Sequence, residues 1–176
     1  DPGRSLPRGI LLSLLIVTLL YGLVVSTLVG LVPVEELFID YYQTDVRPGE
    51  ILTSVLLPVA PVGSGAVYLK FLPRTADDYA TVSVAAVVDA GGNNVCRDVR
   101  IVLGSVGMTP VRPEGAEAIL RDRPLSEENI RACAEAVKEE VDPLDDSRGS
   151  ADYKREMAGA FTRRAISQAL AVSRRE

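Results

Sequence analysis

Charged and apolar side chains are unevenly distributed along this chain. From Gly9 to Val34 there is no charged residue, and the run GILLSLLIVTLLYGLVVSTLVGLVPV is 26 residues long. As a helix rising about 1.5 Å per residue it would reach roughly 39 Å. That is enough to cross the roughly 30 Å hydrocarbon layer of a bilayer with some tilt. It is apolar on every side, which argues against an amphipathic surface helix. A buried core helix is the competing reading. A signal peptide fits less well, because its apolar region is normally about 7–15 residues and no A-x-A-like site follows. Gly22, Gly30 and the Ser/Thr residues of the run are the small side chains that membrane helices use to pack. Arg4 and Arg8 precede the run, and Glu35, Glu36 and Asp40 follow it. The positive-inside rule therefore places the N-terminus in the cytoplasm and the rest of the chain across the membrane. The expectation is a single-pass membrane segment over residues 1–34, with the lipid bilayer as partner of residues 9–34.

Beyond it the pattern changes. Residues 35–50 read as a connector, with Pro48-Gly49 at the centre of a turn. Residues 51–176 read as one domain. Ile51–Leu57 is a short β-rich run stopped by Pro58, and Ala66–Leu72 is a second strand. A polar loop, PRTADDYA, follows. Ala80–Ala90 and Val95–Val106 flank Gly91-Gly92-Asn93-Asn94. Val82, Val84, Ala86 and Val88 share one face at period two, as do Val99, Ile101 and Leu103, which predicts a β-hairpin. After Pro113 the period becomes helical. Ala116, Ile119 and Leu120 mark a short first helix. Ser126 caps a second, with Ile130, Cys133, Ala134, Val137 and Val141 on its apolar face. Ser150 caps a third, in which Tyr153, Met157, Phe161 and Ala165 recur every four residues and are expected in the core. The predicted class is α+β: a mostly antiparallel sheet of about four strands followed by three helices, preceded by the N-terminal transmembrane helix.

Composition narrows the chemistry. The 176 residues hold 19 Lys+Arg and 24 Asp+Glu, a formal charge of -5. That balance argues against a nucleic-acid partner, whose binders are usually basic. Removing residues 1–34 takes Asp1, Arg4 and Arg8 and leaves 17 basic and 23 acidic side chains, an ordinary acidic domain. Histidine is absent, which removes His metal sites and His acid/base catalysis. Cys96 and Cys133 cannot alone ligate an iron–sulfur cluster or an all-thiolate zinc. The first residue is Asp rather than Met, as in a fragment or a processed chain.

No phosphate-loop, nucleophile-elbow or dinucleotide-binding glycine motif is present. Asp77-Asp78 and Asp145-Asp146 are paired carboxylates whose ordinary roles are loop solvation and helix capping. Gly104 and Gly107 suit a strand end or a close approach to phosphate. The segment Lys70–Tyr79 sets Lys70, Arg74, Asp78 and Tyr79 on or beside a loop between two strands, where a rigid scaffold presents ligand contacts. The alternative there is an exposed, salt-bridged loop.

Four segments in order carry a resemblance: TDVRPGEILT, YLKFLPRTADDYATVSVAA, DVRIVLGSVGMTPVR and DSRGSADYKREM. With their spacing, residues 38–170 resemble the C-terminal domain of the FAD-binding medium subunit of carbon monoxide dehydrogenase, a molybdenum hydroxylase similar to xanthine dehydrogenase. The resemblance implies a part in electron transfer. A molybdenum-binding large subunit would oxidise substrate, a small subunit would carry electrons over two [2Fe–2S] clusters, and FAD would pass them to NAD, a quinone or a cytochrome. It also implies Tyr79 for packing on the flavin ring, with Lys70, Arg74 and Asp78 as polar support. The glycine-rich pyrophosphate loops of that family lie in N-terminal subdomains that this sequence lacks. The isolated chain is therefore expected to be inactive and not to hold FAD by itself. In their place, RSLPRGILLSLLIVTLLYGLVVSTLVGLVP resembles a membrane helix of amino acid permeases of the amino acid–polyamine–organocation type. The chain thus reads as two pieces joined near residues 31–37 by fusion, deletion or assembly artefact. The expectation from another class is a membrane-anchored, non-catalytic interaction domain.

Overall fold

The run of alternating β-branched residues that opens the predicted hairpin makes the central strand of the fold. The computed structural model describes residues 13–19, 32–72, 79–91 and 93–174. They comprise α1 (Val34–Leu37), β1 (Phe38–Asp40), β2 (Gln43–Thr44), β3 (Ser64–Phe71), β4 (Val82–Ala90), β5 (Cys96–Gly104), α2 (Glu114–Leu120), α3 (Glu127–Glu140) and α4 (Ala151–Ser173). The chain divides into two units, Asp1–Leu37 with Thr44–Val55, and Phe38–Gln43 with Leu56–Glu176. In the first, residues 13–19 are helical and α1 is a single exposed turn. Most of the predicted membrane run lies outside the described residues. Among those described, no helix is long and apolar enough to cross a membrane.

The second unit holds the core. Strands β3, β4 and β5 form an antiparallel sheet in that order. The register pairs Tyr68 with Ala85 and Ala85 with Val102, so one row crosses all three strands. Val82, Val84 and Val88 of β4, with Val99, Ile101 and Leu103 of β5, are fully buried on one face. β-branched residues suit this pleated, covered surface. α4 lies over β3 and β4 and also against α3, while α2 packs on β5 and α3. Among the described residues of this unit nothing covers the other face, where Tyr68 is 62 % exposed. Asn94, with φ of 61°, turns the hairpin in the left-handed region that asparagine tolerates. Its amide donates to the Gly91 carbonyl at 2.9 Å.

Three expectations change. The sheet has three strands, because residues 51–57 have no ladder partner and carry no regular structure. Ile51 and Leu57 are 84 % and 82 % exposed, so β propensity without a neighbouring strand edge does not make a strand. The short pair β1–β2 falls instead inside the predicted connector. Of the face expected on α4, Ala165 is fully buried and Met157 and Phe161 are partly buried against the core, but the most buried line is offset from it. Lys154, Ala158, Thr162, Ala165, Ile166 and Ala169 face inward, whereas Tyr153 is 42 % exposed. The reason is steric. A Cβ on Gly65 of β3 would collide with the Ala169 carbonyl, and one on Gly159 would meet the Ala134 carbonyl at 2.9 Å. At these two contacts the approach leaves no room for a Cβ.

Both predicted caps hold. The Ser126 hydroxyl accepts from the Asn129 amide, and the Ser150 hydroxyl from the Tyr153 amide, each at 3.2 Å. Cys133 is a buried core residue, as expected, and so is Cys96. Beneath β5, Glu117 of α2 is fully buried and accepts four hydrogen bonds.

Candidate functional site

The loop between β3 and β4 is drawn together by the Thr81 amide, which donates to the Phe71 carbonyl at 2.9 Å. Phe71 packs toward α4, 5.1 Å from the Phe161 ring and 6.4 Å from the Tyr153 ring, centroid to centroid. This aromatic group fixes one end of the sheet to the helix layer. Tyr79 stands at that end, just before β4, and is 59 % exposed. The guanidinium carbon of Arg148, from the loop between α3 and α4, lies 5.2 Å from its ring centroid. That is within cation–π range.

The loop that carries Arg148 is held by several contacts. The Asp142 amide donates to the Val106 carbonyl at 3.0 Å. Asp146 and Gly149 exchange backbone hydrogen bonds at 3.1 and 3.2 Å. The Arg148 amide donates to Asp146 Oδ1 at 2.8 Å. Lys154, nearly buried, reaches back from α4 to the Leu144 carbonyl at 2.7 Å and to Asp146 Oδ2 at 2.8 Å. Burial alone would raise the Asp146 carboxyl. The hydrogen bonds from Lys154 and the Arg148 amide, with their charges, outweigh it and hold the group below its usual range. Gly149 has φ of 149°, and a Cβ there would meet the Tyr153 ring at 2.7 Å, so only glycine follows Arg148 comfortably. Asp145 and Asp146 are thus structural: Asp145 Oδ1 accepts from the Ala151 amide at 2.5 Å, beside the Ser150 cap.

Of the four residues expected at the site, Lys70 and Tyr79 are described; Arg74 and Asp78 lie outside the described residues. Lys70 sits on the open face of the sheet, in register with Ser83, which in turn faces Gly104. Tyr79 lies instead against the α3–α4 loop. Gly104 closes β5, the strand-end reading. Arg148 was not among the expected site residues. It lies within DSRGSADYKREM, but a polar turn residue reads as solvated until the fold brings it to Tyr79.

Several amides at the helix N-termini are already engaged by side chains. In α2 the Gly115 and Ala116 amides donate to the Glu140 carboxylate at 3.2 and 2.6 Å. In α3 the Ser126 hydroxyl takes the Asn129 amide, and in α4 Asp145 and Ser150 take the Ala151 and Tyr153 amides. Among the described residues no group of three His, Cys, Asp or Glu could hold a metal ion.

Comparison with known proteins places this architecture. Residues 67–169 match the profile of a family described as the CO dehydrogenase flavoprotein C-terminal domain. The carbon monoxide dehydrogenase medium chain of Hydrogenophaga pseudoflava is 35 % identical over 140 residues, 80 % of this chain and 48 % of that one. The xanthine dehydrogenase FAD-binding subunit of Escherichia coli O157:H7 is 26 % identical over 146 residues, 82 % of this chain and 50 % of that subunit. A solved structure of the Hydrogenophaga pseudoflava carbon monoxide dehydrogenase, in a form lacking the Mo-pyranopterin moiety of its molybdenum cofactor, superimposes with a TM-score of 0.74. It is 35 % identical, and the match covers 80 % of this chain and 48 % of that one. The chain therefore spans about half the length of the curated relatives it matches. These matches support the flavoprotein part of the expected resemblance and add nothing to its permease part.

Proposed function

The chain belongs to the CO dehydrogenase flavoprotein C-terminal domain family, and on that premise we propose that it is the C-terminal portion of a molybdenum hydroxylase flavoprotein subunit. Its task is to cover FAD while electrons pass from iron–sulfur clusters to an acceptor. The observation that carries this reading is Tyr79, an exposed aromatic ring backed by a cation at the end of a rigid sheet. When bound, FAD would supply the change between one-electron and two-electron transfer. The chain's own part is to offer the Tyr79 ring for offset packing and to keep water from that side. Lys70, on the neighbouring open sheet face, would supply positive charge. The ring end of the cofactor fits what is described. The pyrophosphate end is not matched among the described residues: no glycine-rich turn opens a helix there, and the Ala116, Asn129, Ala151 and Tyr153 amides are taken by Glu140, Ser126, Asp145 and Ser150. Partners follow from the same family reading: a molybdenum-binding large subunit and a [2Fe–2S] small subunit. The chain alone is inactive.

The test grafts residues 38–176 onto the N-terminal part of a related medium subunit. Tyr79→Ala should change the flavin spectrum and reduction potential with little change in melting temperature. The core control is Ile166→Ala, which is fully buried. It should cost roughly 2–5 kcal/mol of stability and leave the flavin spectrum alone. If Tyr79→Ala alters stability only, the loop is scaffold.

A second reading is a membrane-anchored, non-catalytic interaction domain with its N-terminus in the cytoplasm. Its one support is the charge-free run Gly9–Val34. Release of the expressed chain from membranes by alkaline carbonate, without detergent, would dismiss it.

A further inference from the structure

We propose that Arg148 is a positioning residue for Tyr79: its guanidinium clamps one face of the ring and leaves the other face presented at the surface. The inference deepens the reading of Tyr79 given above and rests on it for its functional meaning. The geometry has three parts, two of which share Asp146. The guanidinium carbon lies 5.2 Å from the ring centroid. The backbone at residue 148 is fixed by its own amide bond to Asp146 and by the reciprocal Asp146–Gly149 bonds. The guanidinium is aimed by Asp146 Oδ2, 3.8 Å from Nη1, and that carboxylate is anchored in turn by Lys154, whose side chain is 5 % exposed.

A planar cation on an aromatic face restricts ring flips and tilting, because the quadrupole attraction depends on the cation staying over the face. Tyr79 is nonetheless 59 % exposed. A half-exposed tyrosine with a guanidinium on one side has a single face left to offer a planar ligand. Surface arginines are common, but few are held by a nearly buried lysine–aspartate pair and followed by a glycine that no other residue can easily replace. The α3–α4 loop therefore acts on the candidate site through Arg148, with no part of it needing to touch a ligand.

The test uses the full chain without flavin. Nuclear magnetic resonance of the Arg148 side-chain protons and the Tyr79 ring carbons reads the contact directly. In the native chain the Arg148 δ and ε protons should be shifted upfield by the ring current, and Tyr79→Leu should abolish that shift. Arg148→Met, which keeps the length and loses the charge, should raise the ring mobility of Tyr79 in carbon relaxation. Arg148→Lys, which keeps the charge without the planar group, should restore the order only in part. Absence of the upfield shift, or ring mobility unchanged in Arg148→Met, overturns the proposal. If Arg148→Met does not fold, the ring-current shift decides alone: a shift absent from the native chain, or retained in Tyr79→Leu, overturns the proposal. These readouts need no flavin. A clamp found here with no flavin effect of Tyr79→Ala in the graft rejects the functional reading and keeps the clamp. The converse rejects the clamp.

Discussion

Replacing Glu117 tests whether the sheet and the helix layer are joined by one carboxylate. Its side chain is fully buried. Oε1 accepts from the Ile101 amide at 2.8 Å and from Arg112 Nε at 3.1 Å. Oε2 accepts from Arg112 Nη2 at 3.0 Å and Arg121 Nη2 at 2.6 Å. The arginine side chains are 40 % and 34 % exposed. They can regain water when the carboxylate is lost, so their share must be discounted. The Ile101 amide cannot, and an unsatisfied buried donor costs about 1–3 kcal/mol. Adding the discounted charge-assisted bonds and the vacated volume, Glu117→Ala should cost about 3–5 kcal/mol, the range for breaking a buried ion pair. Glu117→Gln keeps an acceptor for Ile101 and should cost about 1–2 kcal/mol. For a chain of this length each kcal/mol moves the midpoint by about 2–4 °C. The alanine variant should therefore melt roughly 6–20 °C lower. With no tryptophan in the sequence, far-ultraviolet circular dichroism is the natural probe. Glu114→Ala is the control. It pairs with the same Arg112 from a side chain that is 72 % exposed, and its melt should hardly move. Equal losses from the two variants would refute the argument that burial decides the value of this ion pair.

Burial first, and the nearby Asp98 carboxylate next, push the Cys96 thiol up to about 11; burial first, and then Glu117, push Cys133 to about 12. Both thiols should resist a thiol reagent at pH 8 until urea is added, and fast native labelling would contradict their placement in the core. Because these folded values are raised, the stability they contribute is complete below the ordinary value of 9.0 and is lost as pH rises through the folded ones. Asp146 works in the opposite sense. Its lowered value contributes stability above its ordinary 3.8 that disappears as pH falls through the folded value, so Asp146→Asn should flatten the acid limb of stability against pH. An unchanged limb would show that the Lys154 pair does not hold the loop. The chain purified in detergent with added FAD should elute from gel filtration colourless, since its sequence holds no glycine-rich loop for a pyrophosphate; stoichiometric flavin absorbance would disprove this.

What the sequence made legible was whatever depends on neighbours along the chain. The Val82–Val88 alternation placed β4, Ser126 and Ser150 placed two helix starts, and Cys133 fell on a buried face. What it hid depends on partners far away. Residues 51–57 have strand-forming side chains, yet a strand also needs an edge to pair with. Tyr153 reads as core because it recurs every four residues with Met157, Phe161 and Ala165. The face of α4 is instead chosen by close backbone approach, which favours Ala158, Gly159, Ala165 and Ala169. Glu117 and Lys154 read as surface charges until their partners are in place. Arg148 is the same kind of miss. Its motif was visible, but not the tyrosine it would meet.

The contact of Gly65 with α4 also has a consequence in time. Gly65 opens the sheet, and the Ala169 carbonyl that lies against it belongs to the final helix. During synthesis the β3–β5 meander can pair as soon as it leaves the ribosome, since its turns are local. The apolar side of β3 and β4 cannot be covered until the closing helix has emerged. The nascent domain therefore passes through a stage with a complete sheet and an open greasy face, the stage at which chaperones engage a growing chain and at which a slow or truncated translation product would aggregate.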